Sequence, residues 1–306
     1  MKSVGLRFTV AASLLAVFTA LGAGRAETAA KVVAATPELA EITKQVGGAR
    51  VSVYTVARPD EDYHRMEARP SQVIQVTRAK LVVRVGMDLD MWMDALLDAA
   101  GNRGVNRGGR GYVDASVKIR KLEVPKGRVT GASGDIHVYG NPHYWLDPLN
   151  AKIIAGEVLA GLTRVAPGDA THFRKNHDRF CQQVDRRMRG WKAALAPHRG
   201  KQVVVYHKEW IYFLRQFGLR EADALEPKPG IPPSAGHIAQ VIKKMKSEKI
   251  GAIIVPTIYP LRFPKVVSNA TGAKIAVVPY SVGSLKTKNY FDYMDLIVKR
   301  FKEALA

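Results

Sequence analysis

Cysteine is almost missing from this chain: Cys181 is the only one in 306 residues. One thiol excludes an internal disulfide, a thiolate metal cluster, Cys-x-x-Cys redox chemistry and iron–sulfur ligation, so stability must come from burial. Cys181 itself lies beside the apolar face of a predicted helix and is expected as a small core residue. Acidic residues are also scarce, 27 against 47 Lys and Arg, for a net charge of +20. The basic residues are spread along the chain and form no block interleaved with aromatics. They therefore suit solubility and attraction to an anionic surface, and nucleic-acid binding is not expected. Long apolar runs are absent beyond the first, so no second segment is long enough to span a bilayer.

The one apolar run stretches from Phe8 to Leu21, behind Lys2 and Arg7 and ahead of Gly24-Arg25-Ala26. A basic start, a short apolar centre and a small-x-small exit describe a cleavable signal peptide over residues 1–26. The mature chain is then expected to be periplasmic, with its net charge lowered to +17. No cysteine stands at the cleavage region, so a soluble form is expected and a lipid-anchored one is not. About 280 residues exceed the size at which one core stops growing, which predicts two lobes.

Strand and helix patterns alternate through both halves. Lys31–Thr36, Val51–Val56 and Lys80–Val85 read as strands, with helices over Leu39–Val46, after Pro70-Ser71 and over Asp90–Ala100. Residues 102–111, with four glycines and three arginines, read as a flexible surface loop. After a short strand near Tyr112–Ala115 the chain is irregular from Pro125 to Pro142, a length that is usually functional. A helix follows Pro148, and then a longer one in which Phe173, Phe180, Val184, Met188, Trp191 and Leu195 form one apolar stripe opposite a basic face. The second half shows strands at Gln202–Tyr206, Ala252–Val255 and Lys274–Val278, with helices near Trp210–Phe217 and Ser234–Lys249 and a closing helix from Tyr290. This rhythm predicts an α/β fold: two similar lobes with mainly parallel sheets flanked by helices, joined by one long helix. The expected boundaries are 27–167 for the N-terminal lobe, 168–197 for the linking helix and 198–306 for the C-terminal lobe.

Eight histidines are present. His172, His177 and His198 fall on or at the end of the long helix, where a surface or half-buried role is expected, and His237 falls in a first helical turn. His64, His143 and His207 differ. Each sits where a strand or loop ends and a helix is about to begin, the edge that binds ligands in open α/β sheets. His143 follows a proline in Gly140-Asn-Pro-His-Tyr-Trp-Leu-Asp-Pro148, a segment too rich in Gly, Pro and Asn for a helix interior. Three imidazoles at equivalent positions, in a chain with no thiolate alternative, predict a transition-metal site.

The pieces Asp62-Tyr63-His64 with Pro70-Ser71, Asn141-Pro-His-Tyr-Trp-Leu-Asp-Pro148, and Val204-Val-Tyr-His207 with Trp210 and Tyr212-Phe213 resemble the substrate-binding proteins of bacterial zinc and manganese ABC importers. Tyr290 at the head of the last helix also fits, and the similarity covers essentially the whole mature chain. The resemblance implies a binding protein and no enzyme. It would be a monomer that captures a divalent metal between its lobes and delivers it to a membrane permease, with His64, His143 and His207 plus a fourth group as ligands. Two departures stand out. The first histidine follows Asp62-Tyr63 where the family has Asp-Pro, and Val278-Pro-Tyr-Ser281 offers no carboxylate where the family commonly has an Asp ligand. Glu61, Asp62, Glu226 or water remain as candidates for the fourth position. Three imidazoles favour Zn2+ over Mn2+, which leans toward oxygen ligands. Three histidines with an open position also occur in zinc hydrolases, where Glu209 is the nearest candidate base, and a metal-binding surface adhesin of the same fold is a third reading.

Overall fold

The computed structural model describes residues 29–127, 137–228 and 230–306. The expected signal peptide and half of the irregular stretch from Pro125 to Pro142 lie outside the described residues. No described helix is long and apolar enough to cross a membrane.

The first lobe is built on β1 (Ala30–Ala34), β2 (Val51–Thr55), β3 (Leu81–Arg84) and β4 (Tyr112–Asp114). They form one parallel sheet in the order β2-β1-β3-β4. Val32, Val33, Leu81, Val82 and Val83 are fully buried because helices cover both faces of the central strands, as a parallel sheet requires. The helices are α1 (Pro37–Gly47), α2 (Pro70–Thr77), α3 (Trp92–Ala100) and α4 (Pro148–Val165). Proline opens α1, α2 and α4, where its missing N–H would have had no helical partner.

The second lobe repeats the plan. Its strands β5 (Gln202–Val205), β6 (Arg220–Ala224), β7 (Ala252–Pro256) and β8 (Lys274–Val278) form a parallel sheet in the order β6-β5-β7-β8. Helices α6 (Ile211–Phe217) and α9 (Tyr290–Leu305) lie on the side facing the main core, and α7 (Ala235–Ser247) and α8 (Arg262–Thr271) cover the other face.

Between the lobes runs α5 (Ala170–Leu195), 26 residues and so about 39 Å long. Its apolar stripe is buried while Arg174, Lys175, Arg179, Arg186 and Arg189 are exposed. The buried stripe packs against α1 and α4 of the first lobe and α9 of the second, so one hydrophobic core runs through both lobes. Burying a side chain such as Phe180 stabilises by roughly 1.5–3 kcal/mol.

Several local expectations differ from the structure. The strand β6 and helix α8 were not expected. Residues 102–111 are hydrogen-bonded rather than loose: Asn102 Nδ2 donates to the carbonyls of Val76, Thr77 and Ala79, and Val105 is buried. Cys181 is half-buried beside His177 and is not a core residue. His198 is buried rather than superficial, because the 3-10 turn after α5 folds it inward.

Hydrogen bonds stitch the lobes together around their shared cleft. Tyr63 N donates to Tyr280 Oη at 3.1 Å, Val282 N to Glu38 Oε1 at 3.2 Å, and Asn141 Nδ2 to the Lys208 carbonyl at 2.7 Å. Tyr290 Oη donates to the Trp145 carbonyl at 2.8 Å. Gly283, at φ 104°, brings the second lobe so close to Pro59 that a Cβ would stand 2.5 Å from the proline Cγ.

Candidate metal site

His64 and His207 lie beyond the carboxyl ends of β2 and β5, and His143 ends the loop that leads into α4. His64 lies in the 3-10 turn Tyr63–Arg65 after β2, where Asp62 Oδ1 accepts the His64 N–H at 3.0 Å. His143 heads the 3-10 turn Tyr144–Leu146 before α4. His207 comes two residues after β5, next to the crossover point of the second sheet. The backbone turns sharply before His143: Gly140 has φ 102°, and a Cβ there would stand 2.6 Å from the Leu122 carbonyl. Only glycine fits that combination. Tyr144, Trp145 and Leu146 are then buried and pin the loop.

The structure brings the three rings together. One nitrogen of each lies within 4.8 Å of the others. Ring centres are 5.1 Å apart for His64 and His207, 5.3 Å for His64 and His143, and 5.5 Å for His143 and His207. His143 and His207 are almost wholly buried and His64 partly so. A cavity of about 290 Å³ adjoins His143 and His207, lined also by His137, Asn141, Lys208 and Pro227.

The outer nitrogens decide where each lone pair points. Asn141 spends its Nδ2 on Glu123 and on the Lys208 carbonyl, so its Oδ1 is an acceptor and His143 Nδ1–H donates to it at 2.9 Å. His207 Nδ1–H donates to Glu226 Oε2 at 2.8 Å. His64 Nδ1 lies 3.3 Å from His137 Nε2, and His137 Nδ1 lies 3.1 Å from Asp88 Oδ1. A carboxylate accepts, so the His137 proton is on Nδ1 and the His64 proton on the Nδ1 facing His137. All three histidines thereby carry their lone pair on Nε2. A hydrogen-bond acceptor on the outer nitrogen is what orients a histidine for metal ligation.

His64 Nε2 and His143 Nε2 are 3.3 Å apart. With both protons on Nδ1, two lone pairs face each other across that gap. Ligands placed tetrahedrally at about 2.0–2.1 Å from zinc have nitrogens roughly 3.3 Å apart and imidazole centres roughly 5.2 Å apart.

Electrostatics differ among the three. Burial, then the charges of neighbouring His207 and His137, hold His64 well below the usual histidine range. Burial, then His64 and His207, do the same to His143. At His207 burial is outweighed by the Glu226 hydrogen bond and by the charges of Glu209, Glu226 and Asp62, so it stands above the usual value.

The three carboxylates considered for the fourth position all have partners. Glu61 pairs with Arg69 and accepts from Arg58 N. Asp62 caps His64 and faces Arg65 at 3.7 Å. Glu226 sits on the Nδ1 side of His207 and also accepts from Gly230 N. Among the described residues the group within ligand reach contains the three histidines and no carboxylate. His137 and Glu209 are the neighbours that sequence reasoning undervalued. His137 was visible only as a lone histidine in the irregular stretch.

Comparison with known proteins gives a consistent result. A profile of the ZnuA family, zinc-uptake complex component A, periplasmic, matches residues 32–304. The metal ABC transporter substrate-binding lipoprotein SloC of Streptococcus mutans is 23% identical over 278 residues, covering 90% of this chain and 89% of that protein. The high-affinity zinc uptake system protein ZnuA of Brucella abortus is 29% identical over 136 residues, 44% of this chain and 41% of that one. A solved structure of a zinc-bound deletion mutant of ZnuA superposes with a TM-score of 0.77 at 21% identity, covering 91% of this chain and 98% of that one.

Proposed function

This chain belongs to the ZnuA family of periplasmic zinc-uptake components, and from that premise we propose that it is a metal-capturing protein, not an enzyme. It takes up a divalent transition metal between its lobes through Nε2 of His64, His143 and His207, and hands the ion to the membrane permease of an ABC importer. Zinc is the cargo the site suits best. The observation that carries this reading is the 3.3 Å approach of His64 Nε2 and His143 Nε2. Two lone pairs cannot hydrogen-bond to each other, and their spacing equals the edge of a tetrahedral zinc site. Manganese would call for more oxygen donors than three imidazoles leave room for. A cation here displaces no protein group, because every outer nitrogen keeps its partner when Nε2 binds.

The ion is cargo, so the site must bind it and then release it. Lobes joined by one stiff helix and by direct hydrogen bonds such as Asn141 to Lys208 favour small rotations of the lobes over wide opening. The basic exposed face of α5 suits residence near an anionic membrane surface outside the cytoplasm.

X-ray absorption at the zinc edge tests the reading. Zinc-loaded protein is expected to show nitrogen neighbours at about 2.0–2.1 Å with the outer-shell scattering of several imidazoles. A spectrum without imidazole scattering would sink the proposal. Zinc-dependent ester or amide turnover by the wild-type protein would favour the hydrolase reading instead.

A further inference from the structure

The three imidazoles are neutral, so a divalent cation held by them alone would leave two positive charges in a largely buried cleft. Such a charge is costly to bury without an anionic partner. Of the carboxylates near His207, Glu226 is committed to the His207 Nδ1 proton and Gly230 N, and Asp62 to the His64 backbone and Arg65. Glu209 differs from both. Its side chain is only 3% exposed, and its Oε1 has no hydrogen-bond partner among the described residues. It follows His207 by two residues, and its N–H donates to the His207 carbonyl at 2.9 Å, a tight turn that keeps the two side chains in one neighbourhood.

A buried carboxylate oxygen without a donor destabilises a fold, and no partner among the described residues accounts for Glu209 Oε1. An apolar residue would serve the core better, between His207 and the buried Trp210. Tyr280 and Ser281 supply no carboxylate from the loop after β8, so the anion must come from elsewhere.

We infer that Glu209 is the anionic member of the metal site, supplying through Oε1 the oxygen that joins Nε2 of His64, His143 and His207 around a divalent cation. This rests on the three-histidine reading of the site. The Glu209 carboxylate lies outside the group of nitrogens that lie within 4.8 Å of one another, so its coordination to the ion requires a rotation of the Glu209 side chain. Glu209 also makes the site selective, because three nitrogens and one carboxylate oxygen suit tetrahedral zinc or cobalt(II).

Cobalt(II) reports its own coordination through its visible d–d bands, and zinc affinity can be read by competition with a chelator. The full-length mature protein, stripped of metal, would be compared with Glu209→Gln, Glu209→Asp and Glu221→Gln, the last a half-buried acid on β6. Glu209→Gln is expected to weaken zinc binding by at least about tenfold and to shift the cobalt(II) bands. Glu209→Asp, which keeps the charge on a shorter stem, is expected to fall between it and wild type, and Glu221→Gln to match wild type. Wild-type affinity and an unchanged cobalt spectrum in Glu209→Gln would overturn the assignment while leaving the histidine site standing. If wild-type protein binds no zinc at all, the functional reading fails first. Should Glu209→Gln fold poorly, a wild-type-like cobalt spectrum and affinity in a folded Glu209→Ala variant would overturn the assignment equally.

Discussion

Nδ1 of His207 lies 2.8 Å from Oε2 of Glu226, and in the proposed site this contact makes His207 the acid-sensitive member. A ligating histidine must offer a lone pair, so a doubly protonated ring cannot bind. His207 is held above the usual histidine value, while His64 and His143 are held well below it. As pH falls, His207 therefore protonates first and the other two remain neutral further into acid. Zinc affinity should begin to fall above pH ~6.5 instead of below it. Replacing Glu226 by Gln removes the negative partner and should move that onset to lower pH. It should also weaken binding at pH 8 by about 10–100-fold through lost orientation. Chelator competition between pH 8 and 5 reads both effects, and an onset that does not move in Glu226→Gln would refute the assignment.

Alanine at His64, His143 or His207 should each weaken zinc binding by more than about 100-fold, and alanine at His137 by roughly tenfold, since His137 only fixes the His64 proton. Alanine at His198, buried far from the cluster at the end of α5, should leave affinity unchanged. An affinity loss in His198→Ala equal to that in His143→Ala would mean that the variants act through folding.

Glu38 is fully buried at the lobe junction, accepting from Tyr63 Oη and Val282 N, and burial pushes its carboxyl up to about 7. An acid raised in the folded state contributes stability that is complete below its unfolded value and is lost as pH rises through the folded one. Metal-free protein should therefore lose some thermal stability between pH ~5 and ~8 on account of this group. Glu38→Gln should reduce that slope while keeping the acceptor for Tyr63. Melting temperatures measured across that range would show it, and an unaltered slope would count against it.

Gly140→Ala should cost about 1–3 kcal/mol, from a residue forced into a left-handed conformation with its Cβ against the Leu122 carbonyl. Because that turn aims Asn141 and His143, zinc affinity should fall along with stability. Denaturant unfolding and zinc titration of the same variant would separate the two effects, and full affinity would show that the turn does not position His143.

The clustering of the three histidines was legible because each sits where a strand or loop ends and a helix is about to begin, and such ends share one edge of a parallel sheet. The long helix was legible from its unbroken apolar stripe. By contrast, β6 reads Arg-Glu-Ala-Asp-Ala: it is an edge strand with a bulge opposite Val203 and Val204, so it has no apolar run to betray it. α8 carries Pro264 near its start, which broke the helical pattern to the eye. Glu209 sits between exposed Lys208 and buried Trp210, and nothing local distinguishes a solvated glutamate there from a buried one. The role of His137 required the long-range contact to Asp88 and His64, which no spacing rule supplies.

Calorimetric titration of zinc into the metal-stripped protein shows whether the three histidines hold the ion. One zinc per chain is expected, bound tightly by wild type and lost when His64, His143 and His207 are all alanine. No heat of binding in wild type, or a tight site that survives in the triple variant, would contradict it.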